Sequence, residues 1–334
     1  MALHSNERLH EVLSLALEDR SKGYADLVSN NNAILHLIKK KGNWKKFSGP
    51  TIRERLLYNE SGTYTRYSGY QLLNPRPAEL INDAEFTPKL GAVTVTLSGE
   101  DILRNSGKNQ LLDIMETHIE AAEQELQDRF VEDIHGDGTA DGGKQITGLQ
   151  AAIPVVNNAG VYGGIDRAVH AIWRPGSYRV AQDPFGLGTT LDETNIREFF
   201  SNIIINHSRG TRSPDCINAG KDHYIAYEKS VQEIQRITDD KGGLGSRGFQ
   251  SLKYYGGGKS IDVVLDAGIG GSQADDQSYF LDMMALKFRY HPDRNFVKFG
   301  GKQMPVNQDA IVQHIGFYGN LTLNNPLFTA SLKG

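Results

Sequence analysis

From Gly138 to Lys144 the chain has the glycine and lysine spacing of a phosphate-binding loop, Gly138-Thr-Ala-Asp-Gly-Gly143-Lys144. Such a loop cradles phosphate on backbone amides while its lysine neutralises the charge. Here Gln145 stands where serine or threonine must hold magnesium, and the stretch follows a helical pattern instead of a strand. The nucleotide reading fails on that context. The same residues place Asp133, Asp137 and Asp141 at positions 1, 5 and 9 of a calcium loop, with Gly138 at the sharp turn in position 6. Lys144 occupies the place of the last, bidentate glutamate, so a cation stands where a ligand is required. A glycine-rich turn whose aspartates bond their own backbone accounts for both matches.

Other patterns fail on context as well. Gly243-Leu-Gly245-Ser-Arg-Gly248 spells a dinucleotide fingerprint, but the polar run Thr238-Asp239-Asp240-Lys241 precedes it where a buried strand is needed. Gly270-Gly271-Ser272-Gln273-Ala274 lacks the second glycine of a nucleophile elbow and runs into Asp275-Asp276, so it reads as a surface loop. The ten histidines include no pair three or four apart, which removes the helical zinc motif, and His118 reads as a helix-surface or interface residue. Cys216, in Pro-Asp-Cys-Ile-Asn, reads as a small buried strand residue. The expectation is no catalytic residue, no metal and no cofactor. The enzymatic alternative is a soluble metal-dependent hydrolase that uses the aspartates and His135 around the glycine loop.

The elements that position these residues are legible from periodicity. Leu9, Val12, Leu13, Ala16 and Leu17 share one face of a helix from Ser5 to Lys22, and Ala33, Ile34, Leu37 and Ile38 share one face of a second, shorter helix. The second leads into Lys39, Lys40, Lys41, Lys45 and Lys46, with Trp44 and Phe47 beside them and no acidic residue between Asp26 and Glu54. That basic run is a solvated arm, or an arm laid along an acidic surface of phosphate or of another subunit's carboxylates. From Thr51 to Leu97 the pattern is extended and tyrosine-rich, with Tyr58, Tyr64, Tyr67 and Tyr70, a turn at Asn59-Glu60-Ser61-Gly62 and the returning alternation Val93, Val95, Leu97. Asn74-Pro75-Arg76-Pro77 cannot be a central strand, so the excursion projects from the body and its aromatic tip requires a partner to cover it.

Lys108 to Ile134 is the strongest element. Leu111, Met115, Ile119, Ala122, Leu126, Phe130 and Ile134 fall on one face, while the other carries eight carboxylates between Asp113 and Asp133 against Lys108 and Arg129. At about 1.5 Å per residue this is a rod of roughly 40 Å that ends at Gly136. In the second half Thr190-Leu-Asp-Glu193 reads as a capping box for a helix burying Ile196, Phe199, Phe200 and Ile203. Another helix runs through Tyr224, Tyr227, Val231 and Ile234, with extended segments at 249–255, 261–265, 279–290 and 311–323. The class is α+β, without a repeat of solenoid period.

Composition narrows the function by exclusion. In 334 residues, 36 Lys and Arg meet 40 Asp and Glu for a net charge of −4, with 39% hydrophobic residues, so bulk charge names no nucleic-acid or acidic-tail role. One cysteine excludes an internal disulfide framework and fits a reducing compartment. No apolar run reaches the 18 or so residues of a membrane span, and Glu7, Glu11, Glu18 and Asp19 are foreign to a signal peptide. Glycine, at 36 residues spread along the chain, implies many tight turns and bent strands.

One pattern remains: Ile134-His-Gly-Asp137-Gly138, then Ile146-Thr-Gly148-Leu149, then Tyr162-Gly163-Gly164-Ile165-Asp166-Arg167, then Trp173-Arg174. It resembles the major capsid proteins of tailed bacteriophages, with their Hong Kong 97-type shell fold, and the order of elements agrees over nearly the whole chain. The resemblance implies an N-terminal arm at 1–50 and an extended β-hairpin loop at 51–97. It implies a peripheral domain with the spine helix at 98–145 and 275–310, and an axial domain with C-terminal strands at 146–274 and 311–334. It further implies self-assembly through pentamers and hexamers into an icosahedral lattice around double-stranded DNA, alongside a portal protein and a cement protein. Assembly would take place in the host cytoplasm. Tyr64, Tyr67, Tyr70, Gly163, Gly164, Asp166 and Arg167 are the candidate inter-subunit contacts, Asp166 and Arg167 being equally able to pin a local turn. Lys39, Lys40, Lys41, Lys45 and Lys46 are the candidate basic arm.

Some relatives cross-link a loop lysine to a neighbour's asparagine. The only lysine from Thr51 to Leu97 is Lys89, beside Pro88 near the loop's return, so a non-covalent shell is expected. The chain reaches its arm-like region before Ala33, which leaves little room for a cleaved scaffolding segment and points to a separate scaffolding protein. An encapsulin-like compartment of the same fold is the alternative within this class.

Overall fold

The computed structural model describes residues 32–57, 64–71, 81–100, 108–231, 251–256, 258–266, 273–303 and 309–334. The expected helix at Ser5–Lys22, the turn at Asn59–Gly62, Tyr58, Asn74–Pro77 and the 243–248 fingerprint lie outside them. Two sheets carry the architecture. The first is four-stranded in the order β1 (Trp44–Lys46), β12 (Leu286–Gln303), β13 (Ala310–Leu323), β4 (Lys89–Ser98). The second is six-stranded in the order β7 (Gly176–Arg179), β14 (Ala330–Lys333), β11 (Gln277–Leu281), β8 (Cys216–Ala219), β10 (Lys259–Leu265), β9 (Ser251–Gly256). Each has its own apolar cluster.

Helix α1, Ala33–Lys40, starts where the Asn32 side chain accepts the amides of Ile34 and Leu35, at 2.9 and 3.2 Å. Every residue from Ala33 to Ile38 is buried, so this helix is inserted in the first core instead of lying on it with one face. The spine, α2, runs Lys108–His135. Ile119, Ala122, Leu126, Phe130 and Ile134 are buried as their spacing predicts, and Glu116, Glu120, Glu125, Asp128 and Glu132 are exposed. Phe130 is the hub of the first core: Phe288, Phe296 and Phe317 meet its ring edge-on at centroid distances of 5.5, 5.2 and 5.1 Å. Phe296 reaches this position because β12 shifts register around it against β13 and gives it a φ of 57°, a bulge that turns the ring inward.

In the second core α3, Ile196–Asn206, buries Ile196, Phe199, Phe200 and Ile203 as expected, beside α4, Lys221–Val231. The capping box does not form. Asp192 Oδ1 instead accepts from the amide of Thr194, the hydroxyl of Thr194 and the amide of Asn195, at 2.9, 2.6 and 3.2 Å. The helix therefore begins at Ile196, one turn later than the box implies.

Two expected boundaries move. The extended loop was expected to return at Leu97, yet its antiparallel pair is β2 (Ile52–Leu57) with β3 (Ile81–Phe86), and β4 pairs with β13 along the four-stranded sheet. Likewise β13 lies beside β4 and β12 in the spine's sheet, whereas Gln277–Leu281, expected with the spine, pairs β8 and β14 in the other. Partners about fifty residues away or more decide both, and local pattern does not carry them.

Phe130→Ala should cost about 3–5 kcal/mol by opening a cavity among three rings. Glu120→Gln, on the exposed face, should stay within about 0.5 kcal/mol. Chemical denaturation of the two variants measures the difference.

Candidate assembly surface

The hairpin β2–β3 leaves the body at a root that is chemically fixed. Ile52, Glu54 and Leu56 share the inward face of β2, and Glu54 is 3% exposed. Its carboxylate takes Lys287 Nζ at 2.7 Å and Arg289 Nε at 2.6 Å from β12, and the Thr322 hydroxyl of β13 at 3.3 Å. Burial pushes the Glu54 carboxyl up, but Arg289 and Lys287 more than offset it and hold it below its ordinary value. None of this trio was singled out in the sequence. The available signal was a lone carboxylate on an otherwise apolar strand face.

Beside the root lies a two-residue hairpin, β5 (Val161–Tyr162) and β6 (Ile165–Asp166), turned by Gly163 and Gly164 at φ 59° and 77°. The Gly163 carbonyl accepts the Glu85 amide of β3 at 2.9 Å, and a Cβ on Gly163 would sit 2.8 Å from the Phe86 ring. Glycine is required here twice, for the left-handed turn and for the close approach of β3. Gly164 is exposed, with open space where its Cβ would be.

Arg167 follows, and it is engaged within the subunit. The residue is 3% exposed, its guanidinium donates to the Ala151 and Ala152 carbonyls at 2.8 Å each, and it lies over the Tyr162 ring at 5.0 Å. Burial pushes its pKa down. It closes the end of the short helix Leu149–Ala152, whose last carbonyls need donors. Asp166 is turned to its own backbone, with Oδ1 accepting the Ala168 amide at 2.8 Å. Tyr162 completes the cluster: its carbonyl accepts the Trp173 indole at 2.9 Å, its hydroxyl accepts the Leu323 amide at 3.1 Å, and its ring meets Phe86 edge-on at 5.0 Å. Gly163, Asp166 and Arg167 thus secure the root from within the subunit.

The outer part of the hairpin is the opposite. Tyr64 is 84% exposed, Tyr67 65%, and Tyr70 fully so. Lys40, Lys45 and Lys46 are exposed along α1 and the edge strand β1, whereas Lys41 is held at 3.1 Å by Asp215. Lys89 Nζ bonds the Gly143 carbonyl inside the subunit. Between root and second sheet a groove of about 190 Å³ is lined by Arg55, Leu56, Ile165, Trp173, Arg212 and Leu327.

Among the described residues no three His, Cys, Asp or Glu side chains converge on a metal position. Asp137 accepts from Thr139, as a turn residue does. His135 is buried against Asp266 at 2.9 Å. Burial pushes the Cys216 thiol well up, and nearby carboxylates add to that, so it stays a neutral core group. No described helix is long and apolar enough to cross a membrane.

No family model matches the chain, and no curated protein matches it in sequence. Solved structures match it over most of its length. The capsid asymmetric unit of cyanophage A-1(L) is similar at 16% identity and a TM-score of 0.62, covering 90% of this chain and 92% of that one. The capsid of a native GTA particle is similar at 11% identity and a TM-score of 0.56, covering 89% and 90%. A structure of Mycobacterium phage Bobi is similar at 11% identity and a TM-score of 0.51, covering 89% of each. The chain has the Hong Kong 97-type capsid fold.

Two variants separate turn from packing. Gly163→Ala and Gly164→Ala should each lose about 1–2 kcal/mol for the left-handed backbone, and Gly163→Ala should lose more because its methyl meets Phe86. Differential scanning calorimetry reads the gap between them. Glu54→Gln, which leaves two half-buried cations without their carboxylate, should cost about 3–5 kcal/mol. Because the Glu54 pKa is lowered, its stabilising contribution is present above its unfolded pKa of about 4.3 and is lost as pH falls through the folded value. The wild-type advantage over Glu54→Gln should shrink on acidification.

Proposed function

We propose that this chain is the major capsid protein of a tailed phage. It assembles through pentamers and hexamers into the icosahedral head shell and encloses double-stranded DNA without covalent cross-links. The observation that carries this reading is a hairpin fixed at its root by a buried ion trio and bearing exposed tyrosines at its far end. Such a loop is built to be covered by another surface, and in a lattice that surface is the neighbouring subunit. Each contact is modest, and its repetition around a closed shell supplies the stability. The fold supports the reading.

Within it, Tyr64, Tyr67, Tyr70 and exposed Gly164 contact neighbours. Residues 1–50 form the arm, the spine and its four-stranded sheet form the peripheral body, and the six-stranded sheet forms the axial body. Lys40, Lys45 and Lys46, with Lys39 and Lys41 beside them, face an acidic surface, either the carboxylates of a neighbour's spine or packaged DNA. A portal protein, a separate scaffolding protein and a decorating cement protein complete the particle, which matures as a virion after assembly in the host cytoplasm.

Negative-stain electron microscopy of the purified chain after size exclusion should show shells, rings or tubes. A monomer or dimer that never assembles, even when crowded or given a scaffold, would overturn the reading. Shells enclosing protein cargo instead of nucleic acid would overturn its DNA component. Reversing charge at Lys40, Lys45 and Lys46 together should leave the subunit folded while impairing assembly or DNA retention. Full-titre particles from that variant would remove the arm's assigned role.

A further inference from the structure

The end of the spine helix is tied to α1 and to the six-stranded sheet by a buried polar node that the shell reading does not use. His135, the last residue of α2, is 6% exposed, and both its ring nitrogens face acceptors: Nδ1 the Val131 carbonyl at 3.0 Å, Nε2 the Asp266 carboxylate at 2.9 Å. With Asp266 ionised, two acceptors call for two N–H donors, which the imidazolium supplies and a neutral ring does not. Asp266, at the end of β10, also takes the Asn32 amide nitrogen at 3.1 Å, while the oxygen of that same amide caps α1. From β8, Asn218 Nδ2 reaches His135, Asp266 and Gln273 only at 3.4–3.5 Å, and its Oδ1 has no partner among the described residues. Asn32 is therefore the direct link between the charged pair and the start of α1.

We infer that this node is a proton-held latch: the His135 imidazolium keeps Asp266 in place, Asp266 keeps Asn32 in place, and loss of the proton releases α1 from the two bodies it joins. All its members lie in one subunit, so the latch does not depend on the shell reading.

The surroundings leave Asp266 as the charge that faces His135. α1 contributes neutral Asn32, and Lys41 just beyond it is engaged by Asp215. β8 contributes Cys216, whose thiol burial keeps protonated, and Asn218. Farther along β10, Asp262 acts on Cys216, and on the spine itself Asp133 bonds Gln145. Burial pushes the His135 pKa down, but Asp266 and then the Val131 carbonyl more than offset this and raise it. A raised histidine stabilises fully below its unfolded pKa of about 6.5, and the contribution disappears as pH climbs through the folded value. Deprotonation returns a neutral ring with one donor for two acceptors and leaves a buried carboxylate without its counter-charge.

The test is hydrogen–deuterium exchange on the full chain from pH 6 to pH 9, with amides expressed as protection factors so that the chemical pH dependence cancels. Protection in Ile34–Ile38 should fall above pH 6.5, by about tenfold for each unit by which the folded pKa exceeds that of the opened state, while the spine interior at Ile119–Phe130 stays protected. His135→Gln should show low α1 protection at every pH and no step. Should that variant fail to fold, Asn32→Ala keeps the His135–Asp266 pair while cutting its link to α1. Its α1 protection should be low and flat with pH, although an NMR titration still finds His135 ionising above 6.5. A wild-type α1 that is pH-independent, a spine that loosens in step with it, or a pH step that survives in either variant would overturn the latch.

Discussion

A carboxylate at 3% exposure has few places to be, and Glu54 is in one of them because two cations on one strand and a hydroxyl on the next surround it. The energy of such a trio is ambiguous, since desolvation consumes most of the attraction. Its geometry is not. An apolar root could slide along the sheet by a residue at small cost, whereas a charge can sit only where its partners are. The direction in which the hairpin leaves the body follows from that constraint, and so does the usefulness of Gly163, which lets the second hairpin close against β3 without forcing it aside. Tyr162, Arg167 and Trp173 then lock the pair of hairpins to the end of β13.

The two buried charged sites respond to acid in opposite senses. Glu54 needs its proton absent and His135 needs its proton present, so the hairpin root is weakened from the acid side and α1 from the alkaline side. Between them lies a range in which both the hairpin root and α1 are fixed. They are independent, because one sits on β2 against β12 and the other joins α1, the spine and the six-stranded sheet.

Local period told the truth about elements and little about their partners. The spacing from Ile119 to Ile134 marks a buried helix face, and the same holds for Ile196 to Ile203, because a helix displays its own periodicity. The resemblance located the fold, since Tyr162-Gly163-Gly164 and its neighbours are a compact signature. What stayed hidden was pairing at long range. Glu54 reads as one charge in Arg53-Glu54-Arg55 until β12, more than two hundred residues on, is laid across it. Arg167 looked available to a neighbour because nothing in its own sequence says that two helix-end carbonyls wait sixteen and fifteen residues upstream. β4 alternates like a hairpin strand, and only its partner β13 shows that it joins the four-stranded sheet.

That same β13, with β14 shortly after it, also sets the order of events during synthesis. β13 lies between β12 and β4, and β14 lies between β7 and β11, so β4 and β7 each join their sheets through residues 310–333. Until the ribosome has passed them, β4 and β7 have been made but have no strand to join to the rest of their sheets. An open strand edge is a template for any other chain nearby. For the four-stranded sheet, the interval in which nascent copies on one message are able to pair wrongly runs from the making of β4 to the making of β13.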